Sequence, residues 1–192
     1  VALKSEPLAA RMRPRNLDEF WGQAHLIGPG TLLRRAIEAD RIQSLIFFGP
    51  PGTGKTSLAQ IIARRTKSHF ERLNATESNI SDIRRLVAEA KIRLENNGIA
   101  TLVFVDELHR FNKTQQDALL PHLETGILKL IGATTKNPCF SVTAPIVSRS
   151  QIFELRPLLE VDLLGLLRRA LQDEERGLGK WNITSTDEAL KH

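Results

Sequence analysis

The string Gly49-Pro50-Pro51-Gly52-Thr53-Gly54-Lys55-Thr56 constrains this chain more than any other stretch. It fits the pattern G-x-x-x-x-G-K-[ST], a turn whose own backbone N–H groups wrap the phosphates of a nucleotide. That meaning depends on a strand before the turn and a helix after it. Ser44-Leu45-Ile46-Phe47-Phe48 reads as a buried strand, and the run from Ser57 to Ala63 as a helix. Gly49, Gly52 and Gly54 permit close backbone approach and positive φ. The helix start adds unpaired N–H groups and a partial positive charge of roughly half a unit. Lys55 is placed to reach the β- and γ-phosphates, and the Thr56 hydroxyl to hold Mg²⁺. A nucleotide site is therefore expected over Gly49, Pro50, Pro51, Gly52, Thr53, Gly54, Lys55, Thr56 and the adjoining Ser57.

Downstream, strands and helices alternate. His69 to Asn74 alternates like a strand, Ser81 to Leu94 carries Ile83, Leu86, Val87, Ala90 and Leu94 on one helical side, and Thr101-Leu102-Val103-Phe104-Val105 is apolar throughout. A helix from about Lys113 to Glu124 leads to a strand over Leu128 to Ala133, Val142 to Val147 reads as a short helix or loop, and Gln151 to Leu155 as a fifth strand. This order predicts an α/β fold, a parallel sheet wound on both faces with ligands at the carboxyl ends of its strands. Before it, Pro7 to Phe20 reads as an extended basic arm with a helical turn near Leu17. Leu32, Leu33, Ala36 and Ile37 form a helix with Thr31 as candidate cap. Beyond Pro157 the pattern is helix only, with Leu159, Leu163, Leu166, Leu167 and Leu171 periodic. The expected domains are residues 1–157 and residues 158–192.

At 192 residues the chain is long enough for a substantial core. With 27 Lys+Arg against 22 Asp+Glu the net charge is +5, but the basic residues come as scattered pairs, as solvated helix faces would carry them. One cysteine, Cys139, excludes an internal disulfide and a Cys-based metal site, and is expected as a small buried side chain. No apolar run is long enough for a bilayer and no signal pattern opens the chain, so a soluble intracellular protein without a membrane partner is expected. Val1 at the start and a capping box at Ser185-Thr186-Asp187-Glu188 near the end make it read as a fragment of a longer chain.

Asp106-Glu107 closes the most hydrophobic strand. A carboxylate there can bind Mg²⁺ beside Thr56, and a second one can orient and polarise the attacking water. For Thr135 the residues leave two readings open, a strand-end β-branched residue or a contact to the γ-phosphate, with Thr134 facing the other side. Arg149, just before the fifth strand, reads on its own as a solvated or locally paired cation. His109 has no companions at metal-ligand spacing, and Phe111, Phe140 and Trp21 read as core or hinge residues.

The strings Gly49 to Thr56, Val103-Phe104-Val105-Asp106-Glu107, Ile131 to Thr135 and Ser148-Arg149-Ser150 resemble the AAA+ ATPases of the clamp-loader group. Pro7 to Pro14, His109 to Asp117 and Gly132 to Pro138 look, more narrowly, like the family of replication-associated recombination protein A (MgsA) and the Werner-helicase-interacting protein. The resemblance runs from about Pro7 to Gly179. It implies a P-loop NTPase with a five-stranded doubly wound parallel sheet and the start of an all-α lid. It implies ATP and Mg²⁺ as ligands, Lys55 and Glu107 as catalytic, Thr56 and Asp106 at the metal, sensor 1 at Thr135 and an arginine finger at Arg149. Gln23, His25, Leu26 and Ile27 would then lie near the adenine.

The resemblance also implies a DNA-stimulated ATPase that remodels protein–DNA assemblies at stalled or damaged forks, single-stranded or gapped DNA included, as a homo-oligomer such as a tetramer. Single-strand-binding or replisome proteins would be its partners, in the cytoplasm of a bacterium or the nucleus of a eukaryote. A nucleotide-gated scaffold with slow turnover and a Holliday-junction branch-migration motor are the alternatives. Two departures stand out: Lys136, where relatives often carry an acidic residue, and the absence of the family's sensor 2 arginine and carboxyl-terminal oligomerisation domain.

Overall fold

The computed structural model describes residues 6–190. The chain divides into two compact units, Ala24–Pro157 and the pair of segments Val1–Gln23 and Leu158–His192; residues 1–5 and 191–192 lie outside the described residues. The smaller unit contains the first helix, α1 (Leu8–Arg11).

The larger unit opens with α2 (Ala24–Ile27) and α3 (Leu32–Glu38), followed by β1 (Ser44–Phe48) and α4 (Lys55–Arg65). Then come β2 (His69–Asn74), α5 (Ile80–Asn97), β3 (Thr101–Asp106), α6 (Lys113–Glu124), β4 (Leu128–Thr134), α7 (Pro138–Ser141), α8 (Ala144–Ser148) and β5 (Ser150–Glu154). The strands form one parallel sheet in the order β2-β3-β4-β1-β5, so the predicted five-stranded α/β architecture is observed.

Leu102, Val103, Phe104 and Val105 of β3 are all buried, because helices cover both faces of the sheet centre. On one face Val103 and Val105 join Ile83, Leu86, Val87 and Ala90 of α5 and Leu119 of α6 in a single cluster. The opposite face carries α4 against β3 and β4, with Leu58, Ile61 and Ile62 fully buried. Each such side chain contributes on the order of 1.5–3 kcal/mol on burial. Phe104→Ala, at the centre, would cost about 3–5 kcal/mol.

Helix starts follow local chemistry. α5 begins one residue earlier than its apolar pattern suggests because Asn79 caps it: its carboxamide oxygen accepts from Ser81 N at 2.8 Å, and Asn79 N donates to Asp82 Oδ2 at 2.9 Å. Gly98, with φ 66°, ends it. Thr31 does occupy the cap position of α3, but its hydroxyl donates backwards to Leu26 O (2.6 Å) and Gly28 O (2.9 Å), bracing the turn and not the helix.

In the smaller unit the arm's helix is Leu8–Arg11, and at the buried Leu17 there is a single turn closed by Phe20 N donating to Leu17 O at 3.2 Å. Its second half is α9 (Glu160–Gln172), a 3₁₀ turn over Gly179–Trp181 and α10 (Asp187–Leu190). Thr186, one residue after the expected Ser185, caps α10 by accepting from Ala189 N at 3.2 Å. Leu163 and Leu167 of the predicted leucine stripe are exposed, while Ala170 is buried. Glu19 anchors the arm here: its carboxylate takes Arg169 at 2.9 Å and Arg176 at 3.1 Å, and the buried Arg176 is shared with Asp173 at 3.2 Å. Trp21 packs against α9 at Gly165, where an added Cβ would come 2.3 Å from the indole.

Two further expectations are corrected. Cys139 is exposed, because it sits in the first turn of α7, where its N–H is held by the Asn137 side chain at 2.9 Å and its thiol faces outward. Phe140, the next residue, is 91% exposed and is not a core residue, whereas Phe111 is buried. Among the described residues no helix is long and apolar enough to cross a membrane.

Candidate nucleotide site

The loop between β1 and α4 is shaped by its glycines. Gly49 follows β1 with φ 147°, and a Cβ there would stand 2.1 Å from Leu155 O, so only glycine lets β1 end this close to the chain leaving β5. Gly49 N donates to Thr134 O at 3.2 Å, which ties the loop to the end of β4 as well. Gly54, left-handed at φ 95°, caps α4 without a side chain, so the first N–H groups of an eleven-residue helix have no capping partner. Thr53 is buried and its hydroxyl donates to Pro50 O at 3.0 Å, fixing the bend.

Lys55 folds over this loop. Its Nζ donates to Gly49 O at 2.8 Å and Pro50 O at 2.7 Å. Burial lowers the pKa of its ammonium, while the negative charges of Glu107 and Asp106 act to raise it. The phosphate-loop lysine and the acidic pair thus stand within electrostatic reach of each other at the carboxyl ends of β1 and β3, on either side of β4. Thr56 and Ser57, in the first turn of α4, are half-buried.

Asp106 is the last residue of β3, opposite Asn74 of β2, and its carboxylate accepts from Arg72 at 3.0 Å. Glu107 takes left-handed backbone, φ 55° and ψ 43°, where a non-glycine residue carries strain. This turns the chain sharply into a 3₁₀ turn over Leu108–Arg110. That turn carries His109, for which the sequence offers no companions at metal-ligand spacing. Its Nδ1 lies 2.9 Å from Thr134 Oγ1 and 3.4 Å from Glu107 Oε2, with the side chain only 6% exposed. Burial lowers the His109 pKa, opposed by Glu107 and reinforced by Lys136 and Arg110. The sequence signal available was the position itself, three residues after a strand-end carboxylate.

Thr134 is buried at the end of β4, bonded to His109 and accepting from Lys136 N at 3.0 Å, and Thr135 is exposed just beyond. His25 of α2 contacts Glu154 O at 3.0 Å, which sets α2 at the carboxyl end of β5; Leu26 and Ile27 are buried and His25 is exposed. Gln23 ends the smaller unit, buried and with φ 57°.

Arg149 is not brought to these carboxyl strand ends. It precedes Ser150, which pairs with Ser44, whereas the loop follows Phe48, which pairs with Glu154. Four strand steps at about 3.3 Å separate the two ends, about 13 Å along the strand. Its guanidinium is held by Glu124 at 2.6 Å and Pro145 O at 3.1 Å.

Among the described residues no group of three or more His, Cys, Asp or Glu side chains could hold a metal. A divalent ion beside Thr56 and Asp106 would take most of its shell from phosphate and water, as Mg²⁺ does, so the donor set fits.

Residues 45–158 match the model of the ATPase family associated with various cellular activities (AAA). Over 188 residues the chain is 47% identical to replication-associated recombination protein A of Haemophilus influenzae, covering 96% of this chain and 41% of that protein. Over 174 residues it is 51% identical to the Coxiella burnetii protein of the same name, covering 91% and 39%. The chain thus spans about two-fifths of the length of these relatives. Among solved structures, the Thermotoga maritima RuvB Holliday junction branch migration motor matches with a TM-score of 0.73 at 26% identity, over 94% of this chain and 58% of that one. With the family model covering more than half of its residues and the phosphate loop, acidic pair and sheet order in place, the chain belongs to the AAA family of ATPases.

Proposed function

We propose that this chain binds ATP with Mg²⁺ and hydrolyses it, as the engine of a protein that remodels protein–DNA assemblies in replication-associated recombination. The observation that carries the reading is that Lys55, beyond the end of β1, lies within electrostatic reach of Asp106 and Glu107 at the end of β3, the two strands flanking β4. In it, the N–H groups of the loop and of the first turn of α4 cradle the phosphates. Lys55, held by two carbonyls of its own loop, is the cation that turns to the phosphate oxygens. Thr56 and Asp106 hold the Mg²⁺, which when bound neutralises charge on the phosphates. Glu107 orients the attacking water, Thr135 contacts the γ-phosphate side, and His25, Leu26 and Ile27 supply the adenine side.

Arg149 acts on the site of a second copy in an oligomer, a role favoured by its distance from the loop of its own chain. The DNA connection is supported by the names of the relatives and by the likeness to the RuvB motor.

Two variants test the site. Lys55→Ala is expected to weaken ATP binding at least about tenfold, the loss of a charge-assisted contact. Glu107→Gln is expected to bind ATP normally, measured with a fluorescent analogue, and to lose turnover. Turnover should rise with single-stranded, duplex or gapped DNA, and that rise should shrink as salt increases. Equal turnover in Glu107→Gln and the parent chain would overturn the reading.

A further inference from the structure

In the function proposed above hydrolysis depends on Glu107, yet its carboxylate is 38% exposed and springs from left-handed backbone, outside any strand or helix. A water-orienting group needs its direction fixed, because small misplacements of a reacting group are costly. The surroundings supply one fixed point. Leu108 is fully buried against Gly132 of β4, where an added Cβ would meet Leu108 Cδ2 at 2.5 Å, so the 3₁₀ turn is pinned to the sheet. The same turn carries His109, whose imidazole is nearly enclosed between Thr134 Oγ1 at 2.9 Å and Glu107 Oε2 at 3.4 Å.

We propose that His109 is a positioning residue for hydrolysis: its Nδ1, shared between the Thr134 hydroxyl and the Glu107 carboxylate, sets where Glu107 points and couples that direction to the turn that closes β4. The hydrogen bonds close consistently. An Nδ1–H donates to Thr134 Oγ1, with Glu107 Oε2 3.4 Å from the same nitrogen; Lys136 N donates to Thr134 Oγ1 at 3.0 Å, and the threonine hydroxyl donates to Lys136 O at 3.3 Å. Movement of Thr134 or Lys136 therefore reaches Glu107 through one ring. The adjoining Thr135, exposed beside this turn, gives the β4 end a way to respond to what lies in the cleft.

The proposal rests on the reading of Glu107 as the water-orienting group, and the experiment separates the two. The chain and its variants His109→Ala, His109→Asn, Thr134→Val and Glu107→Gln are compared in single-turnover ATP hydrolysis with protein in excess. Nucleotide affinity is followed with a fluorescent ATP analogue. In nucleotide-free protein the imidazole nitrogens of ¹⁵N-labelled histidine are observed by NMR.

His109→Ala is expected to lose about 10- to 100-fold in rate, the range found for groups that orient another ligand, with affinity within about twofold. His109→Asn, whose amide nitrogen can take the place of Nδ1, recovers most of it. Adding Thr134→Val to His109→Ala costs little more, since both break one linkage. Thr134→Val and Glu107→Gln each shift the Nδ1 resonance. A rate in His109→Ala within about twofold of the parent, or an Nδ1 resonance indifferent to both substitutions, overturns the proposal. If His109→Ala does not fold, His109→Asn, Thr134→Val and the resonance decide. If the parent and Glu107→Gln hydrolyse equally slowly, the reading of Glu107 fails, and the resonance alone decides whether His109 bridges the two groups.

Discussion

The guanidinium of Arg72 lies 3.0 Å from the Asp106 carboxylate and 5.7 Å from the centre of the Phe104 ring. A cation thus stands beside the carboxylate proposed to hold Mg²⁺. The arginine is about half exposed, so the pair contributes no more than about 1 kcal/mol to folding. Arg72→Ala is expected to leave the unfolding midpoint nearly unchanged and to lower the Mg²⁺ concentration for half-maximal ATP-analogue binding by about two- to fivefold. A Mg²⁺ titration checks this; an unchanged or higher requirement would remove Arg72 as a competitor of the metal.

Gly49→Ala is expected to destabilise the larger unit by about 2 kcal/mol or more, since φ 147° and the carbonyl of Leu155 leave no room for a Cβ. At Gly52 the backbone is also left-handed, but no atom lies within 4 Å of an added Cβ. Gly52→Ala is expected to cost only about 1 kcal/mol. Denaturant unfolding of both variants gives the comparison, and equal losses would show that contact with β5 is not what requires Gly49.

Acid stability is expected to follow Glu19. Burial raises its pKa, but the backbone N–H of Arg15 and the guanidinium groups of Arg169 and Arg176 outweigh that and hold it at about 2, against 4.5 ordinarily. A pKa lower in the folded than in the unfolded state means that the contribution is full above about pH 4.5 and disappears as pH falls through about 2. Asp173 is shifted the same way, its largest cause being the hydrogen bond from Arg176 N. Glu19→Gln is expected to cost about 1–3 kcal/mol at neutral pH and to flatten the loss between pH 4.5 and 2. Unfolding of the two proteins at pH 7, 4 and 2.5 is the measurement; parallel losses with acid would dismiss Glu19 as the cause.

Arg149→Ala is expected to change stability by less than about 1 kcal/mol, because its pair with Glu124 is exposed on both sides. In the proposed oligomer it is expected to reduce ATP turnover by about 10³-fold or more. Mixing it with Lys55→Ala protein should restore part of that turnover, as each lends the other its intact part. No restoration at any mixing ratio would rule out action across subunits.

The sheet and its loop were legible because their signals are local. Leu102 to Val105 of β3 are all apolar since both faces of the strand are covered, and the phosphate loop needs its glycines in a fixed order. What could not be read depended on partners distant in sequence. Nothing in the chain around His109 announces that Thr134, twenty-five residues away, would close over its ring. Phe140 carries the signature of a core residue, yet the short α7 turns it outward because Asn137 and the buried Pro138 set the direction of the helix. Thr31 was recognisable as a cap by position, but which way its hydroxyl points depends on the preceding turn.

The strand order β2-β3-β4-β1-β5 has a temporal corollary. A chain that has emerged only as far as Glu107 possesses the phosphate loop and the acidic pair, but the slot between β1 and β3 stays open until Leu128–Thr134 inserts there. Nucleotide affinity therefore reports on assembly of the sheet as a whole, and a cut between α6 and β4 that let the later strand escape would abolish it while sparing every residue of the loop.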